Sequence, residues 1–319
     1  MKKRPILLVA SLLLSSCGHN EHNYNEHTVS SVATEKTTIQ TTAEITTTTT
    51  ELMTETTEIL PETDYFAPGQ THGSASYIDG TTIIISFLGY DPTNEWDYNN
   101  EEDSETIHQT LSYLETATDW ITEQVKSYGA EAKFIYNWEE NPDLIYGARF
   151  YEEMESETTQ TYFSQRAFID TNIDSDALLK KYNADNIIYM FFFNTDFSNS
   201  ANPFTMPNPY HNGILYDKEI INIFVKFDDV YVTPPATYAH EILHAFGAHD
   251  LYYENDAITA EYVEYCSETG SRDIMFTVDS GDTITNILSE TDAYYIGIAD
   301  NSDEVKKWGL AESEYKNNP

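Results

Sequence analysis

The stretch HEILHAFGAHD, residues 240 to 250, constrains this chain more than any other. His240 and His244 stand four apart, and residues at that spacing sit one turn apart on one face of an α-helix. A helix through 240–244 therefore brings two imidazoles to one point. Ile242, Leu243 and Phe246 demand that the same helix pack into a core. Its start is expected at Thr233 as N-cap, with Pro234 and Pro235 in the first turn, where a missing N–H costs little. Its end is expected at Gly247.

Two imidazoles so placed can hold one metal ion at about 2.0–2.1 Å. Glu241 lies one step round the helix. It can reach a water at that ion and take its proton without ligating the ion itself. The bland alternative is an amphipathic helix whose histidines hydrogen-bond inside the core. His240-Glu241-x-x-His244 is the HExxH pattern of zinc peptidases. Its extension through Gly247 to Asp250 resembles the zinc motif of the metzincin clan. The resemblance implies that the glycine lets the chain leave the helix with φ > 0, and that a third ligand follows six residues after the second histidine. Most metzincins carry histidine there. This chain carries Asp250, as snapalysin-like and immune-inhibitor-A-like peptidases do, and it is similar to the latter in the Asp250-Leu251-Tyr252 stretch. Asp250 is then the expected third ligand, with His249 facing away or orienting a ligand. The thermolysin-like pattern stays open: it places a glutamate about twenty residues after the second histidine, where Glu264 stands in AEYVEY, residues 260 to 265.

SRDIMFTV, residues 271 to 278, looks like the methionine-containing turn beneath a metzincin metal, with Met275 as an apolar floor. The departure is Thr277, where some relatives carry an oxyanion-binding tyrosine. Tyr252, Tyr253, Tyr262 and Tyr265 are the candidates to replace it. The resemblance spans residues 233 to 297. It implies an α+β fold: an α/β-like upper lobe with a mixed twisted sheet and two long helices, above a small, mainly irregular or helical C-terminal lobe. It also implies one catalytic zinc, Glu241 as the base, and a protein or peptide substrate. That substrate is expected to add as a strand to a sheet edge near residues 212 to 217.

Hydrophobic patterning agrees with a mixed sheet. TTIIISFLGY (81 to 90) and NIIYMFFFN (186 to 194) read as buried strands, the second central; AKFIYNW (132 to 138) alternates; residues 213 to 227 read as one or two more strands. Residues 104 to 129 carry Ile107, Leu111, Leu114, Ile121 and Val125 at helical spacing, up to Gly129. Residues 174 to 184 read as a short helix with acids at its start and lysines near its end.

The N-terminal region has a different character. Lys2, Lys3 and Arg4 precede an apolar run too short to span a bilayer, and LSSCG follows, resembling a bacterial lipobox. The expectation is a lipoprotein signal peptide over 1–16, lipidation at Cys17, and an anchor to the bacterial membrane that leaves the protein facing outside. Residues 17–63, rich in threonine and glutamate, read as a disordered tether. Residues 64–319 read as the peptidase domain, with an upper lobe over 64–247 and a lower lobe over 248–319. The second cysteine, Cys266, reads as a packed side chain.

The formal net charge of −38 argues against nucleic acid and against direct contact with anionic lipid. A monomer is expected. Calcium is a weaker expectation, with DSGD (279 to 282) the one candidate loop and no EF-hand present.

Overall fold

Three long apolar strands set the architecture: β2 (Gly80–Tyr90), β5 (Asn186–Asp196) and β7 (Ile220–Phe227). The computed structural model describes residues 51–53, 73–93, 95–154, 157–196, 203–207, 216–227 and 231–313. In it β5 lies between β2 and β7, parallel to both. Side chains alternate across a strand. Ile84, Ile188, Phe192 and Ile223 therefore enter one core, and Ile83, Ile187, Phe191 and Phe224 enter a second on the other face. Unbroken apolar runs are what strands covered on both faces require.

The remaining strands extend this centre. β3 (Ala132–Ile135) and β4 (Ile145–Arg149) pair in parallel with the first and second parts of β2. β1 (Glu51–Met53) lies beyond β4. β6 (Phe204–Met206) and β8 (Tyr231–Val232) run antiparallel to β7. The result is an α+β molecule with an eight-stranded mixed sheet ordered β1-β4-β2-β5-β7-β6, with β3 on β2 and β8 on β7. Of the sheet edge expected near 212 to 217, residues 212 to 215 lie outside the described residues; Tyr216 and Asp217 are not in a strand, and Asp217 pairs with Arg166. Among the described residues β6 is the last strand on that side.

α1 (Glu101–Lys126) covers one face, burying Leu114, Ala117, Ile121 and Val125, and the Asn100 side chain caps its start by accepting the Glu102 N–H. α4 (Pro235–His244) packs against α1 on the same side. α2 (Thr159–Asn172) and α3 (Ser175–Tyr182) cover the other face with Phe168, Ile169 and Leu178. The expectation of two long helices holds for α1, with 26 residues, but α4 has only 10. Thr233 does not cap it. Its hydroxyl donates to the Phe224 carbonyl at 2.6 Å, and Pro234 takes the N-cap position. After α4 the described chain runs through turns and the short helices α5 (Ala260–Thr269), α6 (Glu290–Tyr295) and α7 (Ser302–Trp308). Their Ile258, Tyr262, Met275 and Tyr294 join the core under α1 and α4.

Within the stretch expected to be a tether, residues 51 to 53 form β1; the rest of 17–63, the leader and Cys17 lie outside the described residues. No described helix is long and apolar enough to cross a membrane.

Candidate metal centre

α4 sets His240 and His244 one turn apart, and a backbone carbonyl fixes each ring. His240 Nδ1 bonds to the Ile274 carbonyl at 3.0 Å, and His244 Nδ1 bonds to the Ala248 carbonyl at 2.8 Å. A carbonyl only accepts, so in the neutral rings each Nδ1 carries the hydrogen and each Nε2 presents a lone pair. Gly247, with φ +94°, turns the chain out of the helix so that Asp250 comes back toward the rings. Asp250 Oδ1 lies 3.2 Å from His240 Nε2 and 3.3 Å from His244 Nε2, and the two Nε2 atoms are 3.1 Å apart.

Three electron-pair donors so close are unfavourable unless a cation sits among them. Atoms bound to one tetrahedral zinc at about 2.0–2.1 Å lie about 3.3 Å from each other, which these separations match. Asp250 Oδ1 is a buried oxygen with no hydrogen-bond partner, a condition that costs about 1–3 kcal/mol if nothing else meets it. Two imidazoles and one carboxylate are a donor set suited to a borderline divalent ion. Among the described residues this is the one group of histidine, cysteine or acidic side chains arranged to hold a metal.

The electrostatics point the same way. Burial works against a charged His244 ring, but the Asp250 carboxylate outweighs it and pushes the pKa up to about 9. Burial also opposes ionisation of Asp250, yet His244 and then His240 hold it well below the usual carboxylate range. A proton and a metal ion thus compete for one position. Glu241, 4% exposed, has its pKa raised by burial, while His240, His244 and a hydrogen bond from Thr205 partly offset that rise. Thr205 Oγ1 lies 2.7 Å from Glu241 Oε2.

Met275 is fully buried in a turn that reaches the site through its backbone. The neighbouring Ile274 carbonyl holds His240, and the Met275 carbonyl accepts the Leu251 N–H at 2.9 Å, next to Asp250. Asp273 shapes this turn by accepting the Met275 N–H on Oδ1 at 2.7 Å.

Other candidates stand apart. Glu264 is on the exposed side of α5 and outside the metal-competent group. The His249 ring meets Tyr295 edge-on at 4.6 Å, and burial lowers its pKa to about 4. In the proposed calcium loop, Asp282 accepts the Tyr113 hydroxyl and Asp279 accepts the Thr285 N–H, with no third acidic ligand. Cys266 is a buried free thiol whose pKa burial pushes up to about 11.

Of the four tyrosines, Tyr262 bonds to Thr291 and Tyr265 lies against Trp308. Burial, and after it the Asp250 carboxylate, raises the pKa of both the Tyr252 and Tyr253 hydroxyls, and the Tyr252 ring stacks 6.4 Å from that of His240. Their position just after Asp250 is a signal visible in sequence. Thr205, 36 residues before Glu241, offers none. No family model matches this chain, and no curated protein matches it in sequence.

Proposed function

We propose that this chain is a zinc-dependent endopeptidase of metzincin type, held at the outer face of a bacterial membrane by a lipid on Cys17. The observation that carries the reading is the convergence of His240 Nε2, His244 Nε2 and Asp250 Oδ1, with Glu241 beside them on the same helix. Glu264 stands outside that group, which favours this reading over the thermolysin-like arrangement.

His240, His244 and Asp250 would hold the zinc, which when bound would supply Lewis-acid chemistry, making a water more acidic and a peptide carbonyl more electrophilic. Glu241 takes the proton of the attacking water and passes it to the leaving amine, a transfer that its raised pKa assists. Tyr252, half exposed beside His240, offers a hydroxyl to the carbonyl oxygen as charge develops on it. An extended peptide adds to the outer edge of β6, whose Thr205 reaches Glu241. Net acidity argues against nucleic acid as substrate, and the HExxH resemblance supports protein or peptide. The protein acts as a monomer.

The test is the purified protein and its Glu241→Ala variant on a mixed peptide library, with metal content measured on both. Cleavage by the parent alone, abolished by a chelator and restored by zinc, supports the reading. Zinc binding without cleavage by either protein removes the peptidase assignment, and no zinc binding removes the site.

A further inference from the structure

Among the described residues, Thr205 is the side chain from the sheet edge that hydrogen-bonds to the would-be base. It sits on β6, opposite Ile221 of β7, and is 7% exposed. Its hydroxyl lies 2.7 Å from Glu241 Oε2 and 2.9 Å from the Glu241 backbone carbonyl. A threonine hydroxyl has one hydrogen to give. While Glu241 is ionised, the carboxylate is the stronger acceptor and takes it. Oε2 is then engaged, and the other oxygen is left to meet a water. When Glu241 is protonated on Oε2, the same hydroxyl can turn to the backbone carbonyl and accept from the carboxyl. Both protonation states are thus satisfied in a buried place, where an unmet polar group is costly.

Resting on the peptidase reading above, we infer that Thr205 is a positioning residue that fixes the Glu241 carboxylate in its working orientation and links it mechanically to the edge strand on which substrate lies. Without the hydroxyl, Glu241 keeps its place on α4 but loses the partner that selects one rotamer. The Thr205 hydroxyl bonds to Glu241 and to none of His240, His244 and Asp250, so its loss is expected to act on turnover and leave metal uptake intact.

Thr205→Val keeps the β-branched shape and removes the donor; Thr205→Ser keeps the donor and removes a methyl group. The expected result for Thr205→Val is kcat down about ten- to a hundredfold, the size of one lost hydrogen bond to a charged group. KM, zinc affinity and the visible spectrum of the cobalt-substituted protein stay at parent values. Affinity for a phosphinic peptide inhibitor falls with kcat, and Thr205→Ser regains most of both. If Thr205→Val does not fold, Thr205→Ala removes the hydroxyl without adding bulk and serves in its place. An active parent with an equally active hydroxyl-less variant overturns this inference alone, as does a Thr205→Ser variant no better than Thr205→Val. A parent that cleaves nothing overturns the peptidase reading, and this inference with it.

Discussion

Asp250 Oδ1 lies 3.2 Å from His240 Nε2, yet while both histidine rings are neutral no group donates a hydrogen bond to that buried oxygen. The lone pair of His240 faces it, because the other ring nitrogen is committed to the Ile274 carbonyl. Asp250→Asn keeps the shape and removes the charge. Zinc affinity is expected to fall at least roughly a hundredfold, beyond the 10–100-fold typical of losing a group that only supports a ligand. Competition against a chelator of known affinity measures it. Parent-like affinity in the variant excludes Asp250 as a ligand.

Metal uptake is expected to depend on pH through His244. Ligation needs its neutral ring, and its pKa without metal is pushed up to about 9. Below that value zinc must displace a proton; above it there is none to displace. Apparent affinity therefore rises about tenfold per pH unit up to about pH 9 and then levels off. Titrations in weak buffer read the released proton directly. A flat profile between pH 6 and 9 contradicts the competition.

Gly247 is required by its backbone. At φ +94° an L side chain is strained by about 1–3 kcal/mol. Gly247→Ala is expected to melt several degrees lower and to bind zinc more weakly, since the turn at Gly247 directs Asp250 toward the rings. Calorimetry with and without zinc separates the two effects. An alanine variant with parent stability and affinity shows that the turn tolerates a side chain.

A buried carboxyl outside the metal group sets a second pH dependence. Glu219 Oε2 accepts from Ser74 Oγ at 2.7 Å and from the Ala75 N–H at 2.8 Å, and Glu219 is 1% exposed. Burial pushes its pKa up from 4.5 to about 7. The folded state thus binds the proton more tightly than the unfolded chain. The stability this contributes is complete below the unfolded pKa and is lost as pH rises through 7, on the order of 3 kcal/mol in all. Glu219→Gln removes the ionisation. Urea unfolding at about pH 5 and about pH 8 is expected to show a drop for the parent and a smaller one for the variant. Equal drops in both place the pH dependence elsewhere. The segment fits closely here: a Cβ at Gly73 falls 2.1 Å from Glu219 Oε1.

Elements with a strong local period were legible. Unbroken apolar runs marked β2 and β5, and a 3.6-residue repeat marked α1, because burial on two faces or on one stripe is written along the chain itself. α2 escaped notice because its buried side includes Thr161, Tyr162 and Gln165, polar groups satisfied by partners such as Asn222. β6 escaped because its three residues pair only with β7, later in the chain.

For the site, sequence alone determined the helix, the shared face of His240 and His244, and the place of Glu241 beside them, since these follow from helical geometry over a few residues. It favoured Asp250 as the third ligand over His249 and Glu264 on a resemblance alone. Tertiary structure decided which carboxylate meets the rings, by turning the chain at Gly247 and leaving Glu264 on the outer side of α5. It also decided that Ile274 holds His240 and that Thr205 holds Glu241. Those contacts join residues 34 and 36 positions apart. No local period encodes such separations; packing of the sheet, α4 and the Met275 turn around one core brings them together.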